Sequence, residues 1–149
     1  MLRAALKRHM DEFTEAIELV CQEQRGNALE QMASALMTTF LEAKMKDAKA
    51  SVALYSVSSD IEGAKIAQET GIKSTKAVAG MLKTAREQLT TDPQLVASML
   101  QSVTVGVSRR LLESTAPEKQ LDTLRRELIF LACTYLNACS MRHSQDPNA

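Results

Sequence analysis

The chain is poor in the residues that cross-link a small fold or interrupt helices. Its three cysteines, Cys21, Cys133 and Cys139, are odd in number and irregularly spaced. That pattern argues against a disulfide framework and suits a reducing compartment. Three prolines, five glycines and 3% aromatic residues leave a sequence dominated by good helix formers. The composition therefore predicts an all-α protein.

Residues for catalysis or metal binding are also scarce. His9 and His143 have no second histidine, cysteine or carboxylate at ligand spacing, and no Gly-rich phosphate loop or nucleophile motif is present. Since His9 falls on an apolar helical stripe, we interpret it as a partly buried core residue. We expect no enzymatic activity, no metal and no cofactor.

Neither the charge nor the hydropathy of the chain indicates binding to nucleic acid or membrane. Eighteen basic and 18 acidic residues balance, whereas a DNA-binding module usually has a basic face. No apolar run approaches the ~20 residues that span a bilayer, and the N-terminus has no signal-peptide pattern. We expect a cytoplasmic protein with one domain over residues 1–143 and a flexible tail at 144–149.

Apolar residues at three- and four-residue steps predict a multi-helix bundle. Asn27 with Glu30 predicts a capping box for the second helix, Asp92-Pro93 a capped start for a later one, and Pro117 the start of the last. The predicted helices cover about 2–24, 27–49, 50–58 (short), 60–89, 92–114 and 117 onward.

The most informative stretch is 128–136, Leu-Ile-Phe-Leu-Ala-Cys-Thr-Tyr-Leu, which is apolar on every side of a helix. Such a helix must be buried all round, and a chain this short covers only one side of it. The other side requires a partner, and an identical copy is the default. Ser102 and Gly106 add a small-residue face on the preceding helix.

Other features have both a functional and a purely structural interpretation. The eight methionines suit a pocket for apolar ligands of varied shape, but they fill irregular cores equally well. Cys133 and Cys139 point in different directions on one helix, so they are inert core thiols or a redox pair between two copies. Residues 64–82, with Gly71, faintly resemble a DNA-binding helix-turn-helix, although only Lys73, Lys76 and Lys83 would supply positive charge.

The helical layout resembles the C-terminal regulatory domain of the TetR family of bacterial transcriptional repressors. The opening segment at 2–13, Leu-Arg-Ala-Ala-Leu-Lys-Arg-His-Met-Asp-Glu-Phe, resembles the helix that connects this domain to the DNA-binding head. The segment at 103–112, Val-Thr-Val-Gly-Val-Ser-Arg-Arg-Leu-Leu, resembles the penultimate helix, and the leucine pattern at 121–136 the last one.

The resemblance implies a homodimer in which the last two helices of each copy form a four-helix bundle, and a small-molecule effector bound among the middle helices. Tyr55 would be the polar contact in an otherwise apolar pocket. The implied pocket residues are Met32, Leu36, Phe40, Tyr55, Val78, Met81 and Leu82. The implied interface residues are Leu100, Val103, Gly106, Val107, Arg110, Leu128, Leu131, Ala132 and Tyr135.

The chain departs from the family in having no DNA-binding head. The first helix starts without a cap and with Arg3, Lys7 and Arg8 where the helix dipole favours negative charge, as truncation would leave it. We expect a ligand-sensing and dimerisation domain that does not itself bind DNA. The alternative is a helical interaction module without a ligand, which docks a different protein through its last helix.

Overall fold

The computed structural model describes residues 2–46, 48, 52 and 61–141. These residues form five long helices, which confirms the all-α prediction for the described part of the chain. The short helix predicted at 50–58 lies outside the described residues apart from Val52, as does the tail at 144–149. The helices are α1 (Leu2–Glu23), α2 (Leu29–Lys46), α3 (Ile61–Leu82), α4 (Pro93–Glu113) and α5 (Pro117–Met141).

The helices enclose one main hydrophobic core, to which all five contribute. α1 packs against α2 and α3, α2 against α5, and α4 against α3 and α5. Phe13 of α1 and Phe40 of α2 meet edge to face, with ring centroids 4.9 Å apart. This geometry is favoured by the aromatic quadrupole. α2 therefore lies in the middle of the domain, between α1 and α5.

The turn between α1 and α2 depends on a left-handed residue. Gly26 has a φ of 82°, a backbone conformation that would be strained in a residue with a side chain. Its N–H donates to Thr84 Oγ1 at 2.9 Å, and the Thr84 hydroxyl donates to the Met81 carbonyl at the end of α3. The turn is thus attached to the loop that follows α3.

The start of α2 differs from the prediction. The Asn27–Glu30 capping box does not form, and the Asn27 side chain instead donates to Gln24 Oε1 at 2.9 Å. The N–H of Leu29, the first helical residue, donates to Glu87 Oε2 at 2.8 Å. A carboxylate 58 residues away in sequence thus replaces the local cap, a contact that only the tertiary fold creates.

The third helix also differs from the prediction. α3 is continuous through Gly71 from Ile61 to Leu82, and it ends before the predicted position 89. Since the turn that a helix-turn-helix requires is absent from 64–82, the DNA-binding interpretation of this segment is wrong.

The last two helices begin as predicted. Asp92 caps α4 by accepting the Gln94 N–H at 3.1 Å, and Pro93 occupies the first helical position. Pro117 opens α5. Near the end of α5, the Thr90 N–H donates to the Cys139 carbonyl at 3.0 Å, which connects the loop before α4 to the last helix.

We expect Glu87→Ala to destabilise the domain by about 1 kcal/mol, because α2 loses its N-terminal hydrogen-bond acceptor and a negative charge at the positive end of the helix dipole. Urea unfolding followed by circular dichroism measures this loss. Glu69→Ala is the control, since Glu69 is an exposed carboxylate within α3. Equal effects of the two substitutions would contradict the capping role.

Candidate dimerisation face and effector cavity

An open apolar groove runs between α4 and α5 on the surface of the domain and encloses about 620 Å³. Large apolar side chains stand along it, and Phe130 is 69% exposed, although it is one of only three phenylalanines in the chain. Leu131 and Met99 are 45% and 47% exposed. The lining residues are Met99, Leu100, Val103, Val107, Leu124, Glu127, Leu128, Phe130, Leu131, Thr134, Tyr135 and Ala138.

The groove brings together six of the nine residues predicted for the dimer interface. Leu100 and Leu128 are buried at its floor, and Leu131 stands exposed at its side. Gly106 and Arg110 are exposed on α4 beyond the groove. The six that line it are Leu100, Val103, Val107, Leu128, Leu131 and Tyr135.

Ala132 lies elsewhere. It is 1% exposed and belongs to the chain's own core, so it offers almost no surface to a partner. Helical periodicity explains the difference, because Leu128, Ala132 and Leu136 follow each other at four-residue steps on the core side of α5. Phe130, which the sequence reasoning left out of the interface, stands on the exposed side.

The predicted effector pocket is closed in this structure. Six of its seven predicted residues are buried in the core, and Tyr55 lies outside the described residues. Three of the six, Leu36, Phe40 and Val78, line a cavity of about 10 Å³, whereas one water molecule needs ~10–15 Å³. The other lining residues are Ile17, Met37, Ser74, Ala97, Leu100, Gln101 and Thr104.

One polar atom at this cavity stands out. Ser74 is 1% exposed, and its Oγ has no hydrogen-bond partner among the residues that the structure describes. A buried hydroxyl without a partner costs about 1–3 kcal/mol. The sequence predictions do not include Ser74 in the pocket, although its position four residues before Val78 places it on the same helical face as this pocket residue.

A lysine side chain is buried against two aromatic rings of the core. Lys44 of α2 is 4% exposed, and its Nζ lies 4.8 Å from the centre of the Phe13 ring and 5.7 Å from that of Phe40. Burial lowers the pKa of Lys44 from its ordinary value to about 8. The two aromatic faces favour the charged form. The sequence does not predict this burial, because lysine is a residue type that is normally exposed.

The cysteines are placed as structural thiols. Cys21 and Cys139 are buried, and burial, with a smaller contribution from Glu18, raises the pKa of Cys21 to about 12. Burial and then Glu30 also raise the pKa of the half-buried Cys133. A thiol with a raised pKa forms little reactive thiolate at neutral pH. Cys133 faces α2, where its sulfur lies 3.9 Å from the Glu30 carbonyl oxygen.

Other kinds of site find no support in the part of the chain that the structure describes. None of its helices is long and apolar enough to cross a membrane. No three histidine, cysteine, aspartate or glutamate side chains are grouped so that they could hold a metal ion. His9 is buried on α1, as the sequence predicts.

The groove and the core cavity thus belong to one all-helical domain in the described part of the chain. The family model described as "Tetracyclin repressor-like, C-terminal domain" matches residues 28–136. The chain therefore belongs to this family of TetR C-terminal domains, as the sequence resemblance indicates. No curated protein and no solved structure gives a significant match.

We expect Ser74→Ala to raise the free energy of unfolding by about 1–3 kcal/mol, because it removes a buried hydroxyl that has no partner. Ser108→Ala is a matched control. Ser108 is also buried in a helix, but its hydroxyl donates to the Val105 carbonyl at 3.0 Å, so its loss should cost about 0.5–1.5 kcal/mol. Chemical denaturation of both variants measures whether each substitution raises or lowers the free energy of unfolding. Destabilisation by Ser74→Ala would show that water satisfies this hydroxyl.

We expect the stability difference between Lys44→Met and the wild type to depend on pH. Below pH 8 the folded and unfolded states both hold the Lys44 proton, so the cost of burying the charge is fully present. Between about pH 8 and 10.5 the folded state loses the proton first, and the wild type gains up to ~1.4 kcal/mol per pH unit relative to the variant.

Urea unfolding of both proteins at pH 7, 9 and 10 measures this change. The advantage of Lys44→Met should be largest at pH 7 and smallest at pH 10. A difference that stays constant over this range would contradict a lowered pKa for Lys44.

Proposed function

We propose that the chain is the dimerisation and effector-binding part of a TetR-like transcriptional repressor, acting in the cytoplasm. The observation that carries the proposal is the apolar groove along α4 and α5, in a chain whose family normally dimerises and binds effectors. Six of the nine residues that the sequence resemblance implies for the interface line this groove.

The groove favours self-association because of the size and chemistry of the side chains that it exposes. Phe130, Leu131 and Met99 stand together on one face, and contiguous apolar patches of this kind mark interaction sites. Among the described residues that line the groove, Glu127 alone is charged. A second copy related by a twofold axis would cover this face with the same α4 and α5 surface, which gives a four-helix bundle.

The exposed side of α4 allows a partner helix to approach closely. A Cβ atom built on Gly106 would meet nothing within 4 Å, so this glycine faces open space. Ser102, four residues earlier, is also exposed. Small residues at this spacing let helices pack at short interaxial distances. Arg110, one turn beyond Gly106, would lie at the polar edge of the interface.

The effector site that we propose is the core region around Met32, Leu36, Phe40, Val78, Met81 and Leu82, with Tyr55 as a further contact. The cavity there is closed, so an effector would bind a more open state and shift the population towards it. Leu100 of α4 lines both this cavity and the groove. Opening the cavity would therefore move a side chain of the interface, and a DNA-binding head attached before α1 would respond to that change.

We expect Leu131→Glu to convert a dimer into a monomer, because it places a charge in the centre of the apolar face. Sedimentation velocity on the full chain at micromolar concentration measures the change, with an expected loss in dimer affinity of at least about 100-fold, or about 2.7 kcal/mol. Leu19→Glu is the control, since Leu19 is 57% exposed on α1, away from the groove.

Two outcomes would contradict the proposal. A wild-type chain that sediments as a monomer would leave the groove for a different protein, which is the interaction-module alternative. Equal dissociation by Leu131→Glu and Leu19→Glu would show that dimerisation does not depend on this face. Circular dichroism of each variant distinguishes dissociation from unfolding.

A further inference from the structure

The unpartnered hydroxyl of Ser74 differs from the hydroxyls of three other buried residues, Thr14, Thr104 and Ser108. Thr14 and Thr104 donate to the carbonyls four residues earlier, at 2.9 and 2.6 Å. Ser108 donates to a carbonyl three residues earlier. These are the usual hydrogen bonds of a hydroxyl inside a helix. Ser74 makes none within the described residues and lies in the wall of the closed cavity.

The cavity wall around Ser74 is otherwise apolar and uncharged. Phe40, Val78 and Leu36 are among its apolar lining residues, and the other polar groups are Gln101 and Thr104. Gln101 Oε1 already accepts from Thr75 at 2.9 Å, and Thr104 donates to its own helix. No charged side chain lines the cavity in the described part of the chain, so an ionised ligand would be buried there without a counter-ion.

The wall of the cavity can also change shape to admit a ligand. Met37 lines the cavity, and its sulfur receives only a weak contact from Thr104 Oγ1 at 3.4 Å. A thioether with three rotatable bonds changes rotamer at low cost, so Met37 can move aside for a ligand larger than one water. Met32 and Met81 are also buried in the same core cluster.

We propose that Ser74 is the hydrogen-bonding group of the effector site, and that the effector is a small, uncharged, mostly apolar molecule that carries one polar group. This inference rests on the proposed function, because it places the effector in the core cavity. The polar group of the effector pairs with Ser74 Oγ, and its apolar body lies against Phe40, Val78 and Met37. A site built in this way discriminates against analogues that lack the polar group.

The test uses two probes of similar shape, phenol and toluene, which differ in the hydroxyl. Each is titrated into the full chain labelled with ¹³C at the methionine methyls, and the Met37 signal is followed by NMR. Met99 reports separately on the surface groove. We expect phenol to shift the Met37 signal, and Ser74→Ala to weaken phenol binding about fivefold to tenfold. Toluene affinity should not fall, and Ser108→Ala should leave both affinities within about twofold.

The outcomes separate this inference from the proposed function. Binding of both probes at Met37 with no dependence on Ser74 would overturn the inference and leave a core effector site standing. A shift of Met99 without a shift of Met37 would place the probes in the groove and overturn the inference. If neither probe shifts Met37, the inference fails together with the effector-binding part of the proposed function, while dimerisation is judged by sedimentation.

Discussion

The last helix is apolar on two sides, and one copy of this chain covers only one of them. Leu128, Ala132 and Leu136 fill the core against α2, while Phe130 and Leu131 remain exposed beside α4. α2 is central to the domain because it packs against the covered side of α5 and, on its own opposite side, against α1 through Phe13 and Phe40. The apolar surface that stays uncovered is a groove between α4 and α5, an arrangement that a second pair of helices fits.

Much of this fold could be predicted from local sequence signals. The Asp92-Pro93 start of α4 and the Pro117 start of α5 are determined by residues next to one another, and both are confirmed. The cap of α2 could not be predicted, because the acceptor that reaches Leu29 is Glu87, which only the folded loop brings near. Local chemistry favours Asn27 there, and a tertiary contact replaces it.

The site residues were predictable to different degrees. Six of the nine residues that the family resemblance implies for the interface line the groove. Periodicity places apolar residues on faces of a helix. It does not decide which of two apolar faces is left uncovered, and Ala132 was assigned to the surface although it lies in the core. Ser74 and Lys44 were missed for a different reason. Serine and lysine side chains are normally exposed, so the sequence alone gives no indication that these two are buried.

The groove and the cavity are physically connected because they share a wall. Leu100 is 3% exposed, with the groove on one side of it and the cavity beside Ser74 on the other. A close-packed interior has little free volume, so a molecule that enlarges the cavity towards α4 would displace Leu100. A domain built in this way can link effector binding to the spacing of two copies without any long pathway. In such a domain, an effector would alter the association of two copies only if it bound two settings of the helices with different affinities, however tightly it bound.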